Sequence, residues 1–391
     1  MITIIKNGEV YSPEYLGTKD VLVLAGKISL IDENISVPTN LGEVTVIDAS
    51  EKLVVPGLVD SHVHIIGGGG EGGFKTRTPE INLSQITKSG VTTVVGCLGT
   101  DGITRQVTSL LAKARGLEEE GISTYIYTGS YKVPTTTITE SIMEDIMLID
   151  KVIGTGEIAL SDHRSSQPSV EDIAKLASET RVGGILSSKA GIINIHMGDG
   201  GRELSYLEEI TRDTEIPKTQ FLPTHINRNG SLMDAGIEYA KSGGYIDLTT
   251  SADPNFLEPG EYTASAGLKY ALDSGVHIES ITFSSDGQGS MPMFNDKREC
   301  IGLGIGEVYS LFTELRDSVL VEGVSIDTAL KVVTSNPARI LKLANKGMIE
   351  TGKDADILII DKANFEVDTL IANGKVMVKD KDVIVKGTFE K

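Results

Sequence analysis

The amino-acid sequence predicts an α/β fold: a (β/α)8 barrel of the TIM type carrying a small β-sandwich. Three observations lead there. The middle of the chain alternates strand-like and helix-like segments, the pattern of a parallel sheet covered by helices. Eight strand candidates fall within roughly 290 residues, which is the size of such a barrel. Both chain ends are instead β-rich, dense in turn residues and free of helical periodicity.

Taken in order, residues 1–52 read as short strands broken by turns, with 21–28 and 44–48 as examples. Residues 353–391 read alike, through 355–361, 375–379 and 383–386. Two similar ends around a different middle predict one discontinuous domain, 1–54 with 347–391, enclosing a barrel over 55–346. Within the barrel the strand candidates are 53–64, 91–96, 122–128, 152–160, 192–196, 220–225, 245–250 and 281–286. Helices are expected between them, for example over 105–120, 170–180, 232–241 and 264–274. A doubly wound open sheet is the alternative, but its Gly-x-Gly-x-x-Gly turn is missing after the first parallel strand.

Composition narrows the function. The 391 residues carry a formal charge of −19 and no basic run. Nucleic-acid and anionic-membrane binding are therefore not expected, because nothing would neutralise phosphates. Hydrophobic residues make up 40% without any segment apolar for long enough to span a bilayer. The stretch Met1 to Gly8 is strand-like, without the charged and apolar regions of a signal peptide. Cys97 and Cys300 are too few for a disulfide scaffold, which fits a reducing cytoplasm, and neither has a cysteine at metal-ligand spacing.

The chemistry gathers at predicted strand ends. Residues 53–64 form a β-branched apolar run ending in His62-Val63-His64. Alternate strand residues share a face, so both imidazoles can meet one metal ion. By itself the pair could be two surface histidines. Reading the other strands at their ends adds Glu157, His196, His225 and Asp286. Four of six histidines thus occupy the barrel's catalytic rim, where chance would scatter them over helices and loops. His, Glu and Asp together favour zinc or a similar divalent ion with an acidified water. Asp286 could be an ordinary turn aspartate. Its place after the eighth strand favours a proton shuttle beside the metal. His163 and His277 fit structural or supporting positions.

The order His-x-His, acidic ligand, His, His, Asp resembles the amidohydrolase superfamily, as does Gly352-Lys353-Asp354-Ala355-Asp356-Ile357-Leu358 near the C-terminus. Within it the chain resembles the isoaspartyl dipeptidases over essentially its whole length. The matching motifs are His62 to Glu71, Leu98-Gly99-Thr100-Asp101 and Tyr131-Lys132-Val133-Pro134. Ser161-Asp162-His163-Arg164, Pro223 to Asn229 and Ser284 to Ser290 complete the set. The resemblance implies metal-dependent hydrolysis of β-aspartyl dipeptides to aspartate and an amino acid, by a homo-oligomer such as an octamer. It also implies zinc, one ion on His62 and His64 and a second on His196 and His225. Asp286 would bind metal and carry the proton, and Tyr131 would help polarise the scissile carbonyl. Glu71 would hold the substrate ammonium; Arg164, Arg228 and Ser290 its carboxylates; Gly69 and Thr100 would complete the pocket.

Those roles agree with the substrate's chemistry. A β-aspartyl dipeptide carries one ammonium and two carboxylates, and arginine recognises carboxylates in a bidentate manner. The competing readings are a surface arginine paired with an acid, a solvent-facing Glu71, and Tyr131 as rim packing. One position departs from the family: a carboxylated lysine usually bridges both metals where this chain has Glu157. Glutamate offers a bridging carboxylate on a shorter side chain, or serves a single metal, so one ion per chain is the alternative to two. That variant also keeps open another amidohydrolase, cleaving a cyclic amide, an N-acyl amino acid or an N-acetyl sugar phosphate. A non-catalytic assembly protein is the remaining class, disfavoured because every ligand position carries a competent side chain.

Overall fold

The computed structural model describes residues 2–38, 42–252, 257, 260–294 and 300–391. Five strands open the chain: β1 (Ile2–Tyr11), β2 (Tyr15–Leu24), β3 (Lys27–Asp32), β4 (Val44–Asp48) and β5 (Lys52–Pro56). The 21–28 run, read above as one strand, is the end of β2, a turn and the start of β3. Ala25 and Gly26 have φ of 49° and 81°, the two positive values of a type I′ hairpin turn. A hydrophobic pattern cannot reveal that break, because the apolar residues continue through it.

Eight strands follow: β6 (Leu58–Val63), β7 (Val91–Gly96), β8 (Ser123–Thr128), β9 (Val152–Leu160), β10 (Ile192–Met197), β11 (Phe221–Thr224), β12 (Ile246–Thr249) and β13 (Ile281–Ser284). Strands β6 to β11 pair in parallel as one six-stranded sheet, and β12 pairs in parallel with β13. Side chains alternate as period-2 geometry requires. Val94, Ile126, Val152, Ile193 and Phe221 pack with helix residues such as Leu110, Ala114 and Ile173. Their neighbours Val95, Tyr127, Ile153, Ile192 and Leu222 form a separate cluster with Ala338, Ile340 and Leu341.

The two sheets are joined by isolated bonds, several from side chains, rather than by a continuous backbone ladder. Between β11 and β12, Thr224 donates to Asp247 at 2.6 Å and Asn227 brackets the Thr249 backbone. Between β13 and β6, the Ser285 amide donates to Asp60 at 3.1 Å and His64 N to Gly287 O at 2.8 Å. Helices such as Val107–Glu120 and Val170–Ser187 connect successive strands. Ser169 caps the latter by accepting from Asp172 N, and Asp172 returns the bond.

A short antiparallel pair, β14 (Ser290–Phe294) and β15 (Cys300–Ile305), follows the eighth strand. The C-terminal strands β16 (Ile357–Asp361), β17 (Glu366–Ala372), β18 (Lys375–Lys379) and β19 (Asp382–Val383) then return to the start of the chain. β16 pairs antiparallel with β5, Ile359 opposite Val54. The result is one nine-stranded sheet. It forks at β1, which pairs with β4 through Ile2 to Lys6 and with β5 through Glu9 and Val10. Ile5, Val23, Ile47, Val54, Ile359 and Ile371 meet in one apolar cluster, so the sheet wraps its own core.

Lys346 locks this sheet to the parallel strands. Its buried Nζ lies 2.6 Å from Asp356, 2.9 Å from Asp354 and 2.6 Å from Ser123 Oγ on β8. Removing one partner strands an uncompensated buried charge. Lys346→Ala should therefore lower unfolding stability by roughly 3–5 kcal/mol, measured by denaturant titration. Lys27, which reaches Asp354 from a 45% exposed side chain, should cost below about 1 kcal/mol when changed to alanine.

Candidate metal centre

The strand-end histidines and carboxylates converge. His62 sits on β6, with His64 one residue past its end; Glu157 is on β9 and His196 on β10. His225 and Asp286 follow β11 and β13, and both adopt left-handed backbone, φ 64° and 51°. That conformation is unfavourable for residues with a side chain. Gly156 precedes Glu157 with φ 154°, and a Cβ there would lie 2.8 Å from the Asn194 carbonyl oxygen. Glycine is required where the chain delivers Glu157.

Glu157 stands at the middle. Its Oε2 lies 3.3 Å from His62 Nε2 and 3.7 Å from His64 Nε2. Its Oε1 lies 2.7 Å from His196 Nδ1 and 3.2 Å from His225 Nε2. Asp286 Oδ1 adds contacts of 3.0 Å to His64 Nε2 and 3.5 Å to His62 Nε2. One carboxylate thus addresses two histidine pairs, one with each oxygen. His62 and Glu157 are 0% and 1% exposed. Yet both ring nitrogens of His62, Glu157 Oε2 and Asp286 Oδ1 have no hydrogen-bond partner. Buried polar atoms left so are costly, and a shared divalent ion would satisfy them together. The donor set, imidazole and carboxylate, is that of zinc-type sites.

Charge within the cluster follows from the same crowding. Burial opposes ionisation of Glu157, but His62 and His196 outweigh it and hold its carboxyl well below the usual range. Burial likewise opposes a charged Asp286, while His64, His62 and His225 bring it down to about 2. Burial pushes His225 down to about 3 despite its bond to Glu157. Beneath the site, burial pushes Asp60 up to about 7 against its bonds from Ser285 and His62.

The remaining sequence candidates line one side. Tyr131, 7% exposed, places its hydroxyl 2.8 Å from His196 Nδ1. Arg164 forms a bidentate pair with Asp162, at 3.0 and 2.7 Å, and its Nη1 lies 3.6 Å from Glu71 Oε1. Thr100 donates to the same Glu71 oxygen at 2.8 Å. Arg228 Nη1 is 3.9 Å from Asp162 Oδ2. Gly69, with φ 68°, abuts Ser290: a Cβ would meet the Ser290 Cβ at 3.1 Å and Thr76 O at 2.7 Å. His163 is exposed beside Asp162, and His277 is exposed ahead of β13.

Two residues escaped the sequence reading. Asp162 Oδ2 is 2.9 Å from His196 Nε2 and so joins that histidine to Arg164. Cys97 lies within 4.8 Å of ligand atoms of His62, His64 and Glu157. Its signal was available, since it directly follows the second parallel strand. Looking only for a cysteine partner hid it.

Comparison with known proteins accords with this geometry. A sequence profile of the amidohydrolase family matches residues 53–377. The β-aspartyl dipeptidase of the thermophile Fervidobacterium islandicum AW-1, crystallised with β-Asp-Leu, is 49% identical. That likeness covers 98% of both chains with a TM-score of 0.90. The dihydropyrimidinase of Brevibacillus agri, 17% identical, superposes over 99% of this chain and 97% of its own with a TM-score of 0.66. A dihydroorotase of Lactobacillus gasseri is 24% identical over 92% of this chain and 89% of its own. With a profile spanning most of its length and a relative sharing half its residues, this chain belongs to the amidohydrolase family and resembles its β-aspartyl dipeptidases.

Proposed function

We propose that the chain is a zinc-dependent hydrolase of β-aspartyl dipeptides. The observation that carries the reading is the Glu157 carboxylate between two histidine pairs, facing a rim that holds Glu71, Arg164 and Arg228. The 49% identical dipeptidase crystallised with β-Asp-Leu supports the same substrate. His62, His64 and Asp286 would hold one ion, His196 and His225 the other, with Glu157 shared. Such ions supply an acidified water and a Lewis acid at the scissile carbonyl.

The chain's own groups do the rest. Asp286, held ionised by its histidine neighbours, accepts a proton from the attacking water and returns it to the departing amine. Tyr131 keeps its phenol proton, because burial and Glu157 push its pKa well up, and that O–H donates to the oxygen gaining charge. Arg228, Arg164 and Ser290 orient the substrate carboxylates, and Glu71 with Thr100 and Gly69 takes the ammonium end. Asp162 fixes both His196 and Arg164, so ligand and substrate clamp keep one relative position.

The same reading makes β6 to β13 a closed (β/α)8 barrel over 55–346, and 1–54 with 347–391 the accessory β domain. Val63 bridging Gly287 supports closure between the first and eighth strands. Among the described residues no helix is long and apolar enough to cross a membrane. A cytoplasmic homo-oligomer, as in the octamer expected above, belongs to the proposal, and exposed Phe74, Ile103, Leu148 and Val321 offer apolar contact area for it.

Purified protein with zinc should hydrolyse β-Asp-Leu and leave α-Asp-Leu, dihydroorotate and hydantoin intact. Absence of β-Asp-Leu cleavage overturns the proposal, and cleavage of the cyclic amides would favour the dihydroorotase-like alternative. Chelation should abolish activity, with two metal equivalents per chain recovered by elemental analysis; a single equivalent would make Glu157 a ligand of one ion. Asp286→Asn should lower kcat by roughly 10²–10⁴-fold. Arg228→Lys should chiefly raise KM, since an ammonium cannot reproduce a bidentate clamp. Steady-state kinetics on both variants reads the difference.

A further inference from the structure

We infer that Cys97 contributes a thiolate ligand to the metal position of His62, His64 and Glu157, making one of the two positions a sulfur-containing site. The inference rests on the metal dependence proposed above and adds a ligand to it. Cys97 directly follows β7, and its amide donates to Val63 O at 3.0 Å, which sets it level with the His-x-His pair. Gly96, whose Cβ would collide with Ile65 Cδ1 at 2.7 Å, lets β7 run this close to β6. The thiol is 0% exposed, free of any disulfide and 3.7 Å from His64 Nδ1. Together with one ligand atom each from His62, His64 and Glu157, its sulfur falls within a 4.8 Å set.

A buried cysteine is ordinarily a small apolar side chain, and Cys97 does belong to an apolar cluster with Val59, Val95 and Tyr127. Its polar neighbours argue for more. His62 leaves both ring nitrogens unbonded at full burial, and Glu157 Oε2 has no donor. Glu157 Oε2 stands 3.3 Å from His62 Nε2 and 3.7 Å from His64 Nε2, and Cys97 approaches His64 from its Nδ1 edge. One donor atom from each of the four residues falls within 4.8 Å, a spread that a shared zinc would draw in through bonds of about 2.0 Å to nitrogen and 2.3 Å to sulfur.

The two metal positions are then chemically unequal. The first offers two imidazoles, carboxylate oxygens of Glu157 and Asp286, and sulfur. The second offers His196, His225 and the other Glu157 oxygen only. A thiolate selects zinc over magnesium or manganese, and binding releases the thiol proton to solvent. The first position should therefore hold its ion more tightly, leaving the second with room for water and substrate.

Cobalt(II) replacement tests this without reference to activity. The reconstituted wild-type protein should show an intense near-ultraviolet band from thiolate-to-cobalt charge transfer. Cys97→Ser should lose that band and retain less than the wild-type metal content, while Cys300→Ser should keep both. Cys97→Ala, judged folded by circular dichroism, repeats the comparison without a hydroxyl that could replace the ligand. Two bound cobalt equivalents without the band, or a band that survives Cys97→Ser, would overturn the assignment and leave Cys97 as a thiol bonded to His64. If wild-type protein binds no divalent ion at all, the metal dependence fails and the ligand assignment with it. Should neither Cys97 variant fold, the Cys300→Ser band still decides, because that variant keeps Cys97 as its sole thiol.

Discussion

The buried carboxylate of Glu157 is the constraint around which the site is assembled. It is 1% exposed and ionised, a state that burial alone would forbid. Four imidazoles approach it in two pairs, and each pair comes from strands on its own side: β6 for His62 and His64, β10 and β11 for His196 and His225. Moving any of these strands would leave a charge uncompensated in the interior. The fold and the electrostatics are thus one problem, because the carboxylate makes displacement of the strands expensive.

That coupling explains how much of the site could be read from the chain. Ligands at strand ends appear in sequence as polar residues terminating β-branched runs, and His62, His64 and His196 have that form, whereas Glu157 lies inside β9 and His225 follows a strand with a proline in it. Asp286 lay within reach because its turn follows the eighth run. Features set by contacts between distant residues had no such local mark. The bond from Ser285 N to Asp60 and the insertion of Cys97 beside His64 depend on how β6, β7 and β13 lie side by side. The β2–β3 hairpin was missed for another reason: Ala25 takes positive φ, which composition does not advertise. The fork of the sheet at β1 has no local mark either, because it depends on which strands pair with that strand.

Charge on the substrate side is arranged with the same economy. In a chain of net −19, an arginine beside the histidine cluster finds carboxylate partners: Asp162 grips two nitrogens of Arg164, and the third faces Glu71. Burial opposes that charge, but Asp162 and Tyr131 hold the guanidinium more firmly protonated than usual. Asp162 in turn grips His196. Through one buried carboxylate, the orientations of His196 and Arg164 are tied together.

The lapses in the backbone ladder complete the argument. Continuous hydrogen bonding would hold β11 to β12 and β13 to β6 rigidly, but it would also spend the strand ends on pairing. Here isolated bonds do the joining. Asp247 accepts from Thr224 across β11 and β12 at 2.6 Å, Thr249 meets His225 Nδ1 at 2.6 Å, and Asp60 accepts from Ser285 N across β6 and β13 at 3.1 Å. The chain is thereby free to turn into left-handed backbone at His225 and Asp286, with φ of 64° and 51°. Each such residue costs about 1–2 kcal/mol, and the surrounding polar bonds are what sustain it. Both residues face Glu157 or its histidines across the gap. The interruption in regular structure is therefore the condition for placing the Asp286 carboxylate and the His225 imidazole beside Glu157 and its histidines.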